Sequence, residues 1–127
     1  MQDLVNHPAH YTTHPSGIEA IEVTQFMSFT LGNAFKYLFR AEAKDGDRCY
    51  RKAVWYLARE IELRQSQQPR PTVNAHNAMR KIDAIVASEP RSEIGKAMRH
   101  IGKAAFQHTG TSNLECAIDE VKAWLIR

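Results

Sequence analysis

Nine side chains in the first half of this chain are of types that handle phosphate groups and nucleobases. Three lie in Val5-Asn6-His7-Pro8-Ala9-His10-Tyr11, a segment with no core pattern. Pro8 restricts His7 to extended backbone. His7 and His10 are the side chains that titrate near neutral pH, so either could bind or protonate a ligand group. Four more, Asn33, Lys36, Tyr37 and Arg40, recur at i, i+3, i+4 and i+7. On a helix they share one face, opposite Phe35 and Leu38. Arg40 offers a planar fork suited to phosphate and Lys36 a point charge. Asn33 could read a base or sugar edge, and Tyr37 could stack. The last two are Lys52 and Trp55, in a set that also holds Arg51, Tyr56 and Arg59. The alternative reading of both cationic sets is an ordinary solvated helix face, with Trp55 and Tyr56 at the rim of the core and the His7–Tyr11 arm packed down by Tyr11.

The spacing of His7, His10 and His14 invites a metal assignment. No thiol is local and Asp3 is the only nearby acid, so a closed four-ligand site would need distant partners. We therefore expect no metal and no cofactor, and we expect His14 to be dispensable for ligand binding. In the second half Lys96, Arg99 and Lys103 line one helical face, with His100 where Tyr37 stands and Lys96 where Asn33 stands; a solvated face is the expectation there. Gly95-Lys96 and Gly102-Lys103 lack both the spacing and the following Ser or Thr of a phosphate-binding P-loop. No Gly-rich dinucleotide loop, G-x-S-x-G elbow or H-E-x-x-H motif occurs.

The elements that must position these groups are helices. Ser16-Gly17-Ile18-Glu19 has the form of a capping box and predicts a first helix with Ile18, Ile21 and Phe26 on one side. A second is predicted from about Leu31 to Ala43, with Leu31, Ala34, Phe35 and Leu38 as its apolar stripe. Lys44-Asp45-Gly46-Asp47 reads as a turn. The third runs from about Arg48 to Gln65 with Tyr50, Ala53, Val54, Leu57 and Ile61 inward. Gln65 to Pro71 is polar with two prolines and reads as a linker. Three further helices are predicted at about Asn77–Ala87, Arg91–Gln107 and Ser112–Ile126, the last opened by a second candidate capping box, Ser112-Asn113-Leu114-Glu115.

The halves resemble each other. Ile18-Glu19-Ala20-Ile21 parallels Ile82-Asp83-Ala84-Ile85, and Leu31-Gly32-Asn33-Ala34 parallels Ile94-Gly95-Lys96-Ala97 at nearly the same offset. We read an all-α protein made of two similar three-helix units. Residues 1–66 form the first, with its N-terminal arm; 67–72 are a linker, and 73–127 a degenerate second unit. The two are expected to bury each other's apolar faces in one small helical domain.

A chain of 127 residues, 43% hydrophobic and 24% charged, is long enough to bury such a core. The net charge of +3 lies entirely in residues 67–127, which hold nine Lys and Arg against six acids, whereas residues 1–66 hold eight of each. That balance lacks the dense basic clusters of a duplex-DNA binder, and a nucleic-acid partner is not expected. No apolar run is long enough to span a bilayer and the N-terminus lacks a signal-peptide pattern. A cytoplasmic protein without a membrane partner is the expectation, and the two cysteines make no disulfide framework.

With these motifs in order, residues 5–62 resemble the SaV-like family of short phage and prophage proteins. The matching segments are Asn6-His7-Pro8-Ala9-His10-Tyr11, Gly17-Ile18-Glu19-Ala20-Ile21, Gly32-Asn33-Ala34-Phe35-Lys36-Tyr37-Leu38-Phe39-Arg40 and Lys52-Ala53-Val54-Trp55-Tyr56-Leu57. One branch of that family is the nucleotide kinase of T7-type phages, which phosphorylates deoxynucleoside monophosphates without a P-loop and without a divalent metal. The resemblance implies nucleotide binding and phosphotransfer in an infected or lysogenic bacterial cell, with a nucleoside triphosphate as donor. In such a kinase Lys36, Arg40 and Lys52 would neutralise the transferred phosphoryl. His7 or His10 would act as base or phosphate donor. Tyr11, Asn33, Tyr37 and Trp55 would hold the nucleotide. Two rivals use the same residues or faces: a nucleotide binder without turnover, such as one that sequesters a host signal, and a helical nucleic-acid or protein interaction module. Self-association is expected in each case.

Overall fold

A computed structural model describes residues 14–66, 76–107 and 110–127. They form six helices: α1 (Ile21–Thr24), α2 (Phe29–Arg40), α3 (Asp47–Ser66), α4 (His76–Ser88), α5 (Ser92–Phe106) and α6 (Ser112–Leu125). The protein is all-α, and no strand occurs among the described residues. The expected linker, residues 67–72, lies outside them.

The period-3.6 stripes decide which faces turn inward. Leu31, Ala34, Phe35 and Leu38 of α2 are fully buried, as are Tyr50, Ala53 and Leu57 of α3. They share one hydrophobic cluster with Ile82 and Ile85 of α4, Ile94, Met98 and Ile101 of α5, and Leu114 and Val121 of α6. Each large side chain sealed there contributes on the order of 1.5–3 kcal/mol. α2 packs along α3 and α5 along α6; between the halves, α1 packs on α4, α2 on α5 and α3 on α6. A Cβ at Gly102 would stand 3.0 Å from Ile82 Cδ1 and 3.1 Å from Met79 Sδ, so this glycine sets the close approach of α4 and α5.

The first helix departs from expectation. Gly17 has φ +73°, a left-handed conformation that interrupts the chain just where a capping box would begin a helix. Ser16 Oγ instead accepts from the Ile18 N–H at 3.1 Å, a local turn. Glu22 Oε2 accepts from the Glu19 N–H at 2.7 Å. α1 is thus a single turn that buries Ala20 and Val23, while Ile21 is 59% exposed and Phe26 is also exposed. The second candidate capping box fails too: Thr111 occupies the cap position of α6 and makes no side-chain cap bond. The cap that exists was not anticipated. Ser28 Oγ accepts from the Leu31 N–H at 3.2 Å and starts α2 two residues early. The same hydroxyl donates to Glu60, a fully buried carboxylate held by Arg64 at 2.9 Å.

Candidate functional site

The α2–α3 hairpin brings most of the expected groups together. Its tight turn, with Asp45 at φ 68° and Gly46 at φ 44°, folds α3 back along α2. Lys36, Tyr37 and Arg40 of α2 thereby meet Lys52, Trp55 and Tyr56 of α3. The Tyr37 ring is the meeting point. Lys36 Nζ lies 4.6 Å from its centroid, Arg40 Cζ 4.9 Å and Lys52 Nζ 5.2 Å. Three cations gathered on one ring are held partly by its negative face. Behind them Tyr37 stacks on Tyr56 at 5.8 Å and 15°. Trp55 stands edge-on to Tyr56 at 5.0 Å, and Phe29 approaches the same ring at 6.4 Å. Phe29 is 80% and Trp55 61% exposed.

The other expected groups are placed differently. Asn33 donates one Nδ2 hydrogen to the Phe29 carbonyl of its own helix at 2.9 Å, which engages part of its amide in back-bonding. Arg40 is no free surface group: its side chain is 11% exposed and its Nη2 stands 4.0 Å from Asp45 in the turn. Substituting it therefore disturbs the hairpin as well as the cation cluster. His7, His10 and Tyr11 lie outside the described residues. The second half has no matching cluster among the described residues. His100, in the place of Tyr37, bonds Asn113 at 2.6 Å, Arg99 pairs with Asp83 at 3.7 Å, and Lys96 is exposed.

A second constellation was not foreseen. A cavity of about 440 Å³ opens between the halves, lined among others by His14, Phe39, Glu42, Glu89, Arg91, Trp124 and Arg127. Arg91 is buried and ties the halves together. Its Nε and Nη2 donate to Glu89 at 2.9 and 2.7 Å, and its Nη1 donates to the Leu38 carbonyl at 2.9 Å and to the Tyr50 hydroxyl at 2.8 Å. The Tyr50 hydroxyl in turn donates a hydrogen bond to Glu42. His14 stacks on Phe39 with ring centroids 5.0 Å apart. Its Nδ1 accepts from the Ser16 N–H, so Nε2 carries the proton donated to Glu89 at 3.2 Å.

Burial pushes the Glu89 carboxyl up, but the hydrogen bonds from His14 and Arg91 and the Arg91 charge prevail and hold it down at about 2. Burial, aided by the Glu42 bond, pushes the Tyr50 hydroxyl up to about 12. Both oxygens of Glu89 are taken up by His14 and Arg91, which marks the network as a lock between the halves. His14, set aside on sequence grounds, is therefore a structural residue. We expect His14→Ala to lower the urea midpoint measurably and to leave ligand affinity unchanged. Local sequence held no signal for this lock, because residues 14, 50, 89 and 91 are scattered along the chain.

His14 is so engaged that it cannot join a metal site as it stands, and no group of three or more metal-ligating side chains occurs among the described residues. Cys49 and Cys116 are both free thiols. No described helix is long and apolar enough to cross a membrane. Residues 5–58 match the model of a protein family of unknown function, DUF3310. That span contains the arm, α1, α2 and the part of α3 that carries Lys52, Trp55 and Tyr56. No curated protein and no solved structure matches the chain.

Proposed function

We propose that this protein binds nucleoside phosphates on the α2–α3 face. The observation that carries the reading is the convergence of Lys36, Arg40 and Lys52 within 5.2 Å of the Tyr37 ring centre. Three like charges drawn to one spot repel one another, and a phosphate group seated among them relieves that repulsion. The exposed Trp55 ring beside them offers a π-face on which a base can stack. Arg40 and Lys52 come from different helices, so phosphate would brace the hairpin.

The finer reading, a SaV-like nucleotide kinase acting in a phage-infected cell, is supported by the resemblance of residues 5–62. In it Lys36, Arg40 and Lys52 stabilise the charge on the transferred phosphoryl, and His7 or His10 moves the proton. The decisive experiment incubates the protein with dGMP or dTMP and ATP, with and without EDTA, and separates the nucleotides by chromatography. Diphosphate products that persist in EDTA are expected. Unchanged nucleotides with quenched Trp fluorescence would leave binding without turnover, and the absence of both products and quenching would refute the nucleotide reading. Lys52→Ala is the cleaner probe of the cluster than Arg40→Ala, because it leaves the Arg40–Asp45 contact in place. It is expected to weaken nucleotide binding by about 1.5–3 kcal/mol, as measured by titration calorimetry.

We also read the halves as a duplicated three-helix unit. The packing of each helix on its counterpart, α1 on α4, α2 on α5 and α3 on α6, supports this. Residues 17–62 are expected to overlay on 81–126 with helices in the same order; unrelated helix directions would rule it out.

A further inference from the structure

We propose that the exposed aromatic row of α2 and α3 is a platform for single-stranded nucleic acid of two or more nucleotides. The inference rests on the same cation cluster as the nucleotide reading but adds a feature that reading does not use. Phe29 and Trp55 both stand nearly perpendicular to the Tyr56 ring, at 79° and 87°, and both are largely open to solvent. Phe29 belongs to the first turn of α2 and Trp55 to the middle of α3, so they approach Tyr56 from different helices. Set on different helices, the two faces can take two successive bases, one on each, where a mononucleotide brings a single base.

The charges fit a strand rather than an isolated phosphate. Lys36, Arg40 and Lys52 form one positive site beside Tyr37. Arg51 and Arg59 lie one turn before and one turn after Trp55 on α3, and both are exposed. Arg59 is paired with Glu62 at 3.1 Å, an exposed contact that a phosphate can displace at little cost. Exposed cations thus lie one helical turn to either side of Trp55, within the reach of the phosphates of a strand stacked there. Single strands are held by this combination of stacking faces and cations, without base-edge readout. A duplex keeps its bases stacked on one another and cannot offer them to Phe29 and Trp55. The modest net charge that argues against a duplex binder therefore leaves a single strand open. An apolar protein partner fits poorly, because its docking would desolvate the surrounding cations.

The test measures fluorescence anisotropy of labelled oligothymidylates of two, four and eight nucleotides against the full chain. A hairpin duplex, polyglutamate and unlabelled dTMP, read by competition, serve as comparisons. Expected are at least tenfold tighter binding of the four-nucleotide strand than of dTMP, weak binding of the duplex, and a loss of affinity with rising salt. Phe29→Ala is expected to weaken the four-nucleotide strand roughly tenfold and leave dTMP unchanged; the side chain is exposed, so the fold is not at stake. Equal affinity for dTMP and the longer strands, equal affinity for the duplex or polyglutamate, or an inert Phe29→Ala would each overturn the proposal. The two readings separate cleanly. Strands that bind while dTMP does not would sink the nucleotide reading and keep this one, and dTMP binding with no gain from length would do the reverse.

Discussion

Replacing Arg91 with alanine is expected to destabilise the protein by about 3–5 kcal/mol, measured as the shift in its urea unfolding transition. The guanidinium is buried and makes four kinds of contact at once: with the Glu89 carboxylate, the Leu38 carbonyl, the Tyr50 hydroxyl and the Tyr50 ring. Its removal leaves a buried ionised carboxylate without its guanidinium partner and a C-terminal carbonyl of α2 without this donor. Much of the expected loss is the cost of those orphaned groups rather than the worth of the bonds themselves. The companion variant follows from this. Arg91→Met combined with Glu89→Gln removes both charges, and it is expected to lose clearly less than the two single substitutions added together. Strict additivity would show that Glu89 and Arg91 are not coupled.

Acid is expected to weaken the fold through the same residues. The Glu89 carboxyl sits at about 2 in the folded protein against an ordinary 4.5. A depressed carboxyl binds its proton more readily in the unfolded chain, so its contribution is complete above about pH 4.5 and fades as pH falls toward 2. The shift corresponds to a contribution on the order of 3 kcal/mol, from a side chain only 1% exposed. Tyr50 sets the alkaline counterpart. Its hydroxyl is raised to about 12, so its stabilisation is complete below pH 10 and is lost as pH climbs through 12. Unfolding free energy measured from pH 2 to 7 should therefore fall on the acid side. In Glu89→Gln that fall should shrink, although the variant is weaker at neutral pH. An unchanged acid limb in the variant would show that other carboxylates govern it.

Both effects come from residues whose roles no spacing rule could reveal, whereas much of the fold could be read directly. The stripes of α2 and α3 are local patterns: Leu31, Ala34, Phe35 and Leu38 lie inward because 3.6 residues make a turn. The misreadings concern single residues with more than one option. Ser16 can cap a helix or close a turn, and Gly17 in a left-handed conformation decides for the turn. Ser28 reads as an unremarkable serine until Glu60, 32 residues away, is folded against it. Ile21 and Phe26 are apolar and lie in a helical stretch, yet the single-turn α1 leaves them at the surface.

The candidate site divides along the same line. That Lys36, Tyr37 and Arg40 share a helical face follows from the sequence alone, since helical periodicity places them there. That Lys52, Trp55 and Tyr56 meet them follows only from the turn at Asp45 and Gly46, which fixes how α3 lies along α2. The sequence determined an all-α chain, its inward stripes and the two cationic faces, because each depends on residues within a turn or two of one another. The tertiary structure alone decided that three cations share one tyrosine ring and that Phe29 belongs to the aromatic row. It also decided that His14, Tyr50, Glu89 and Arg91 form a buried lock. Contacts between groups tens of residues apart depend on how whole helices pack, and that packing leaves no periodic trace in the chain.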